Sequence, residues 1–117
     1  MPIKCRAHLL EASVAFEDAV STVAVRGELD IATRSILDDA LTQAIELGAS
    51  IVLVDLAELS FIDATGLGAL VSARNRLLAQ SRDLTLRNPS PVITSMIAAI
   101  GLTDLLDGGG RAAVGGG

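Results

Sequence analysis

Two short segments carry the residue types that could recognise or react with another molecule. The first, Gly27-Glu28-Leu29-Asp30-Ile31-Ala32-Thr33, sets two carboxylates beside a hydroxyl. The second, Asp55-Leu56-Ala57-Glu58-Leu59-Ser60-Phe61-Ile62-Asp63-Ala64-Thr65-Gly66-Leu67-Gly68, carries three carboxylates, two hydroxyls and two close glycines. Paired carboxylates can do general acid-base work, but only within a pocket that also holds a substrate. No phosphate-binding loop, dinucleotide glycine fingerprint or nucleophile elbow accompanies them. One histidine (His8) and one cysteine (Cys5) rule out an intramolecular disulfide and a CxxC redox pair, and leave no Cys/His set for structural zinc or triad chemistry. The sequence therefore predicts recognition, no enzymatic activity and no cofactor.

Asp63, just ahead of a helical pattern, is placed to accept a hydrogen bond from the backbone N–H of Thr65 or Gly66 and to suit the positive end of that helix. Gly66 and Gly68 each cost a helix about 1 kcal/mol relative to Ala. Either tight packing on a sheet or close approach by a partner accounts for them. Between Arg34 and Arg74 there is no Lys or Arg, and Asp38, Asp39, Glu46, Asp55, Glu58 and Asp63 give that stretch a charge of −6, against −5 for the chain. Asp38, Asp39 and Glu46 fit a solvated helix face. Asp55, Glu58 and Asp63 are expected in a loop, and with Glu28 and Asp30 they predict an acidic edge suited to a basic protein partner.

Fourteen acidic against nine basic residues exclude the basic footprint of a generic nucleic-acid or anionic-membrane binder. Two Phe and no Trp or Tyr leave no platform for stacking bases. No stretch has the length of apolar residues a membrane span needs, and the N-terminus lacks an apolar signal region, so a cytoplasmic protein is expected. Cys5, between Lys4 and Arg6, reads as a bystander at a frayed end or a redox sensor, and His8 as a strand residue without a functional role.

The elements that must position the two segments follow from periodicity. Residues 8–16 and 21–29, separated by polar Glu17-Asp18, read as an antiparallel hairpin. From Thr33 to Leu47, the spacing of Ile36, Leu37, Ala40, Leu41, Ala44 and Ile45 predicts an amphipathic helix ended by Gly48. Ile51-Val52-Leu53-Val54 reads as a central strand buried on both faces. A second helix is expected from Ala64 to Ala79, with an apolar stripe of Leu67, Leu70, Val71, Leu77 and Leu78. Leu84-Thr85-Leu86 is a short strand, and Ser90-Pro91 starts a third helix that Gly101 stops. The order ββαβαβα predicts a single α/β domain over 1–106 with a mixed sheet packed by amphipathic helices. Six of the eleven glycines fall in the last ten residues, and 107–117 is expected to be a flexible tail. Parallel pairing of the second and third strands would bring both segments to one edge, where α/β domains gather their functional sites.

The two motifs, in this order and spacing, resemble the bacterial anti-sigma factor antagonists of the sulfate transporter and anti-sigma factor antagonist (STAS) domain family, over about 8–106. The resemblance implies a switch protein that binds an anti-sigma factor, itself a serine/threonine kinase, and so releases a sigma factor. It implies a contact surface of Glu28, Asp30, Thr33, Glu58, Asp63, Ala64, Thr65, Gly66 and Leu67. It also implies phosphorylation by that kinase at the start of the second helix, reversed by a PP2C-type phosphatase. The family's phosphoacceptor follows the motif's Asp directly, and here that residue is Ala64, without a hydroxyl. Thr65, pointing about 100° away on a helix, is the candidate acceptor; alternatively the protein escapes phosphorylation, or Thr65 is structural. Ser60 is a further hydroxyl in the segment. The rival implication is a STAS scaffold subunit of a transporter or of a stress-signalling complex.

Overall fold

A computed structural model describes residues 10–102 and Leu105; Cys5, His8, residues 8–9 of the first expected strand and the tail at 107–117 lie outside them. The elements are β1 (Leu10–Glu17), β2 (Val20–Leu29), α1 (Arg34–Glu46), β3 (Ile51–Ile62), α2 (Ala64–Leu78), β4 (Asp83–Arg87) and α3 (Pro91–Ala99). This is the expected ββαβαβα order. The hairpin turns on Asp18 and Ala19, both at positive φ (53° and 66°), so the turn lies one residue later than expected. Positive φ at both central residues matches the twist of the flanking strands.

The sheet runs β1-β2-β3-β4, with β1 antiparallel to β2 and the other neighbours parallel. Val14, Val23, Val54 and Leu86 share one row across it, and α1 and α2 pack over that face. Val52, Val54 and Leu56 of β3 are fully buried there, while Ile51 and Leu53 on the opposite face are only half-buried. The expectation of a strand buried on both faces is thus corrected: its continuous apolar run serves one covered face and one partly open one. The helix stripes shift similarly. Ile36 and Leu78 stand exposed, and α2 packs through Gly66, Leu67, Ala69, Leu70, Ala73 and Leu77. Small residues at that spacing bring the helix close to the sheet.

Arg82 ties the far end of the domain. Its guanidinium donates to the carbonyls of Ile45, in the last turn of α1, and of Ala49, just beyond it, each at 2.7 Å. α3 begins as expected, Ser90 Oγ accepting from the Ile93 N–H at 3.2 Å with Pro91 in its first turn.

Gly66 marks the tightest approach of helix to sheet. A Cβ there would lie 2.6 Å from Leu29 Cγ and 3.0 Å from Ile62 Cγ1, and Leu29 is fully buried. Gly66→Val is therefore expected to lower the unfolding free energy by about 2 kcal/mol or more, read as a lower urea midpoint at unchanged slope.

Candidate functional site

The site is assembled by the last pairs of the β2–β3 ladder. Register partners Glu28–Phe61 and Leu29–Ile62 end it, and the Asp63 N–H donates to the Leu29 carbonyl at 3.2 Å. The two motifs leave the sheet side by side at one edge, as the sequence predicted from parallel pairing.

β3 reaches that edge through two irregularities. Ala24 faces Asp55 but Arg26 faces Glu58, and Gly27 faces Leu59 but Glu28 faces Phe61, so each step inserts one extra residue on β3. Side chains stabilise both. Asp55 Oδ1 accepts from the Ala57 N–H at 3.0 Å across the first, and Ser60 Oγ donates to the Gly27 carbonyl at 2.9 Å beside the second. Gly27 itself has φ +111°, a conformation that L side chains rarely adopt. The expectation that Asp55 and Glu58 sit in a loop is corrected here. Both are strand residues, and their segment looked like a loop because the bulges break the alternation of buried side chains to Leu56, Leu59 and Ile62.

Glu58 is consequently set apart from the other acidic residues. It is exposed on the open sheet face, where Arg26 lies 3.9 Å from it and 3.7 Å from Glu11. That face offers a shallow hollow bordered by Ser13, Ala24 and Arg26.

At the edge itself, hydrogen bonds divide the residues into those that hold the turn and those that face outward. Asp30 Oδ1 accepts from the N–H groups of Ala32 (3.0 Å) and Thr33 (3.1 Å). Thr33, only 2% exposed, donates its hydroxyl to the Glu28 carbonyl (2.8 Å) and accepts from the Asp30 N–H (3.0 Å). Thr33 thus shapes the turn and has almost no surface to offer. Asp63 Oδ1 accepts from the Gly66 N–H at 3.0 Å, one of the two caps predicted. Gly66 and Leu67 are buried, Thr65 is half-buried and Ala64 is exposed.

Two apolar side chains that the motif reading passed over stand in the open here: Ile31, 78% exposed within the turn, and Phe61, 47% exposed beside Glu28. The available signal was an isoleucine between Asp30 and Thr33, outside any helix or strand period. The edge therefore presents half-buried Glu28, Asp30 and Asp63 together with Ile31, Phe61 and Ala64. Such a mixture is suited to binding a protein. Among the described residues, no group of His, Cys, Asp and Glu could hold a metal ion, and no helix is long and apolar enough to cross a membrane.

The family described as Mlab, STAS domain, matches residues 12–107. The anti-sigma-B factor antagonist of Staphylococcus aureus is 32% identical over 90 residues, 77% of this chain and 83% of that protein. An anti-sigma factor antagonist from Mycobacterium paratuberculosis has a similar fold, with a TM-score of 0.76, 23% identity and coverage of 84% of this chain and 83% of that one. The Bacillus cell fate determinant SpoIIAA in its phosphorylated form gives a TM-score of 0.67 at 23% identity, covering 89% of this chain and 96% of that one.

The turn that presents Ile31 depends on the Thr33 hydroxyl. Thr33→Val keeps the volume but strands the Asp30 N–H, at an expected cost of about 1–3 kcal/mol. Denaturant unfolding measures the loss, and faster amide exchange at Asp30 would accompany it.

Proposed function

The chain belongs to the STAS domain family, and from that membership we propose that it is a cytoplasmic anti-sigma factor antagonist. Its partner is an anti-sigma factor of the serine/threonine kinase type, bound at the edge formed by the turn after β2 and the start of α2. The observation that carries the reading is the convergence of Glu28, Asp30, Ile31 and Phe61 with Asp63 and Ala64, fixed by the Leu29–Ile62 pair. Binding there occupies the anti-sigma factor and frees the sigma factor. The protein's part is differential affinity rather than bond chemistry, which accords with the relatives' being named for antagonism.

The edge has two layers. Asp30, Thr33 and Asp63 hold the backbone in place, while Glu28, Ile31, Phe61 and Ala64 are the surface a partner meets. A basic side chain on the anti-sigma factor would find the acidic groups, and Ile31 and Phe61 supply apolar area to bury. Glu58 contributes through Arg26 to the neighbouring sheet face rather than to the centre of contact.

Regulation turns on residue 64. A phosphate adds about −1.5 to −2 charge at pH 7, and on an acidic edge it would oppose docking by repulsion and bulk. A penalty of 1.4 kcal/mol corresponds to about a tenfold loss of affinity. Ala64 offers no hydroxyl at the exposed position to which the motif resemblance assigns the phosphoacceptor, and Thr65 is half-buried on the next bearing of the helix. We infer that the protein escapes phosphorylation at this edge and remains competent to bind while its kinase partner is active. A phosphatase then has no substrate in this chain.

Affinity purification tests the class of partner: recovery of a kinase-type anti-sigma factor with its sigma factor supports antagonism, and recovery of membrane transporter subunits points to a scaffold instead. Incubation with that kinase and ATP should leave the intact mass unchanged, whereas Ala64→Ser should gain one phosphate and lose affinity. A phosphate on the wild type that disappears in Thr65→Ala would make Thr65 the acceptor. Asp63→Ala is expected to cost about 1 kcal/mol of stability through the lost cap, and titration calorimetry should show weaker partner binding.

A further inference from the structure

α3 carries no charged residue, yet of its side chains only Ile93 and Ile97 are buried, and Val92 and the adjacent Ile100 are 70% and 54% exposed. Thr94 and Ser95 are its only polar side chains, and large apolar side chains standing in water beside one another mark a surface that another molecule covers. Between α3 and α2 lies a groove of about 600 Å³, with Leu67 and Val71 on one side, Met96 and Ile100 on the other, and no charged residue among the described residues that line it. Ala64, Gly68 and Ser72 complete the α2 side.

Gly68 supplies an independent sign. Gly66 is required by its contact with Leu29, but a Cβ at Gly68 would meet no heavy atom within 4 Å. Packing among the described residues gives no reason for a glycine in the body of this helix, where it weakens the helix relative to alanine. What its missing side chain leaves open is space in the groove.

The groove also adjoins the docking edge, since Ala64 stands at both. The edge is acidic, and the described lining of the groove is uncharged. A segment lying across the two needs a basic residue at one end and aliphatic residues along the rest, the pattern of an amphipathic helix seated in a groove. We propose that the α2–α3 groove receives the aliphatic ridge of such a helix from the anti-sigma factor, and that Gly68 keeps the seat open. This rests on the docking reading above and extends its surface along α2.

The test uses the full chain and the purified anti-sigma factor kinase, with affinity and melting temperature measured for the wild type, Gly68→Ala, Gly68→Leu and Glu28→Lys. Gly68→Ala should raise the melting temperature by roughly 4 °C while weakening binding. Gly68→Leu, which fills the groove, should remain folded and bind about a hundredfold more weakly. Lower stability in Gly68→Ala would make the glycine a packing residue and overturn the proposal. Wild-type affinity in Gly68→Leu beside weakened Glu28→Lys would remove the groove and leave the docking edge standing. Wild-type affinity in all three would remove both. A change only in self-association of Gly68→Leu would give the groove to a second copy and likewise overturn it.

Discussion

The hydrogen bond from the Asp63 N–H to the Leu29 carbonyl, beyond the last β2–β3 register pair, is the constraint on which the rest depends. It fixes the distance between two turns that lie more than thirty residues apart in the chain. α2 can begin immediately afterwards only because Gly66 lets its backbone settle on Leu29 and Ile62. A side chain at that position would push the helix start away from the sheet and dissolve the edge without touching any surface residue.

From this constraint follows a separation between holding and contacting. Two polar residues of the first motif, Asp30 and Thr33, use their oxygens on the turn's own backbone, and Asp63 does the same for α2. Satisfied polar groups of this kind make a turn rigid, and a rigid turn can hold Ile31 in water without collapsing onto it. The exposed isoleucine is thus held out by the polar motif. Binding then loses less ordering entropy than it would with a mobile loop.

Much of this was legible in the residues. The Ser90-Pro91 start, the Asp63 cap and the alternation of elements all rest on local chemistry, and local chemistry is what a sequence states most directly. The bulges in β3 were hidden, because an inserted residue changes which side chains are buried without leaving turn residues behind. Asp55 and Ser60, which stabilise those bulges, look like loop polar residues until their partners at Ala57 and Gly27 are known. The roles of Gly66 and Gly68 could not be separated by helix propensity, which treats them alike. Only the positions of Leu29 and Ile62 distinguish a glycine pressed on a sheet from one beside open space.

Amide hydrogen exchange of the chain, alone and with the anti-sigma factor proposed as its partner, tests the central claim most directly. The account predicts added protection at residues 30–33 and 63–68, with the exposed face of β1 around Glu11 and Ser13 unchanged. Protection confined to that open sheet face, with both turns at the β2–β3 edge exchanging as in the free protein, would contradict it.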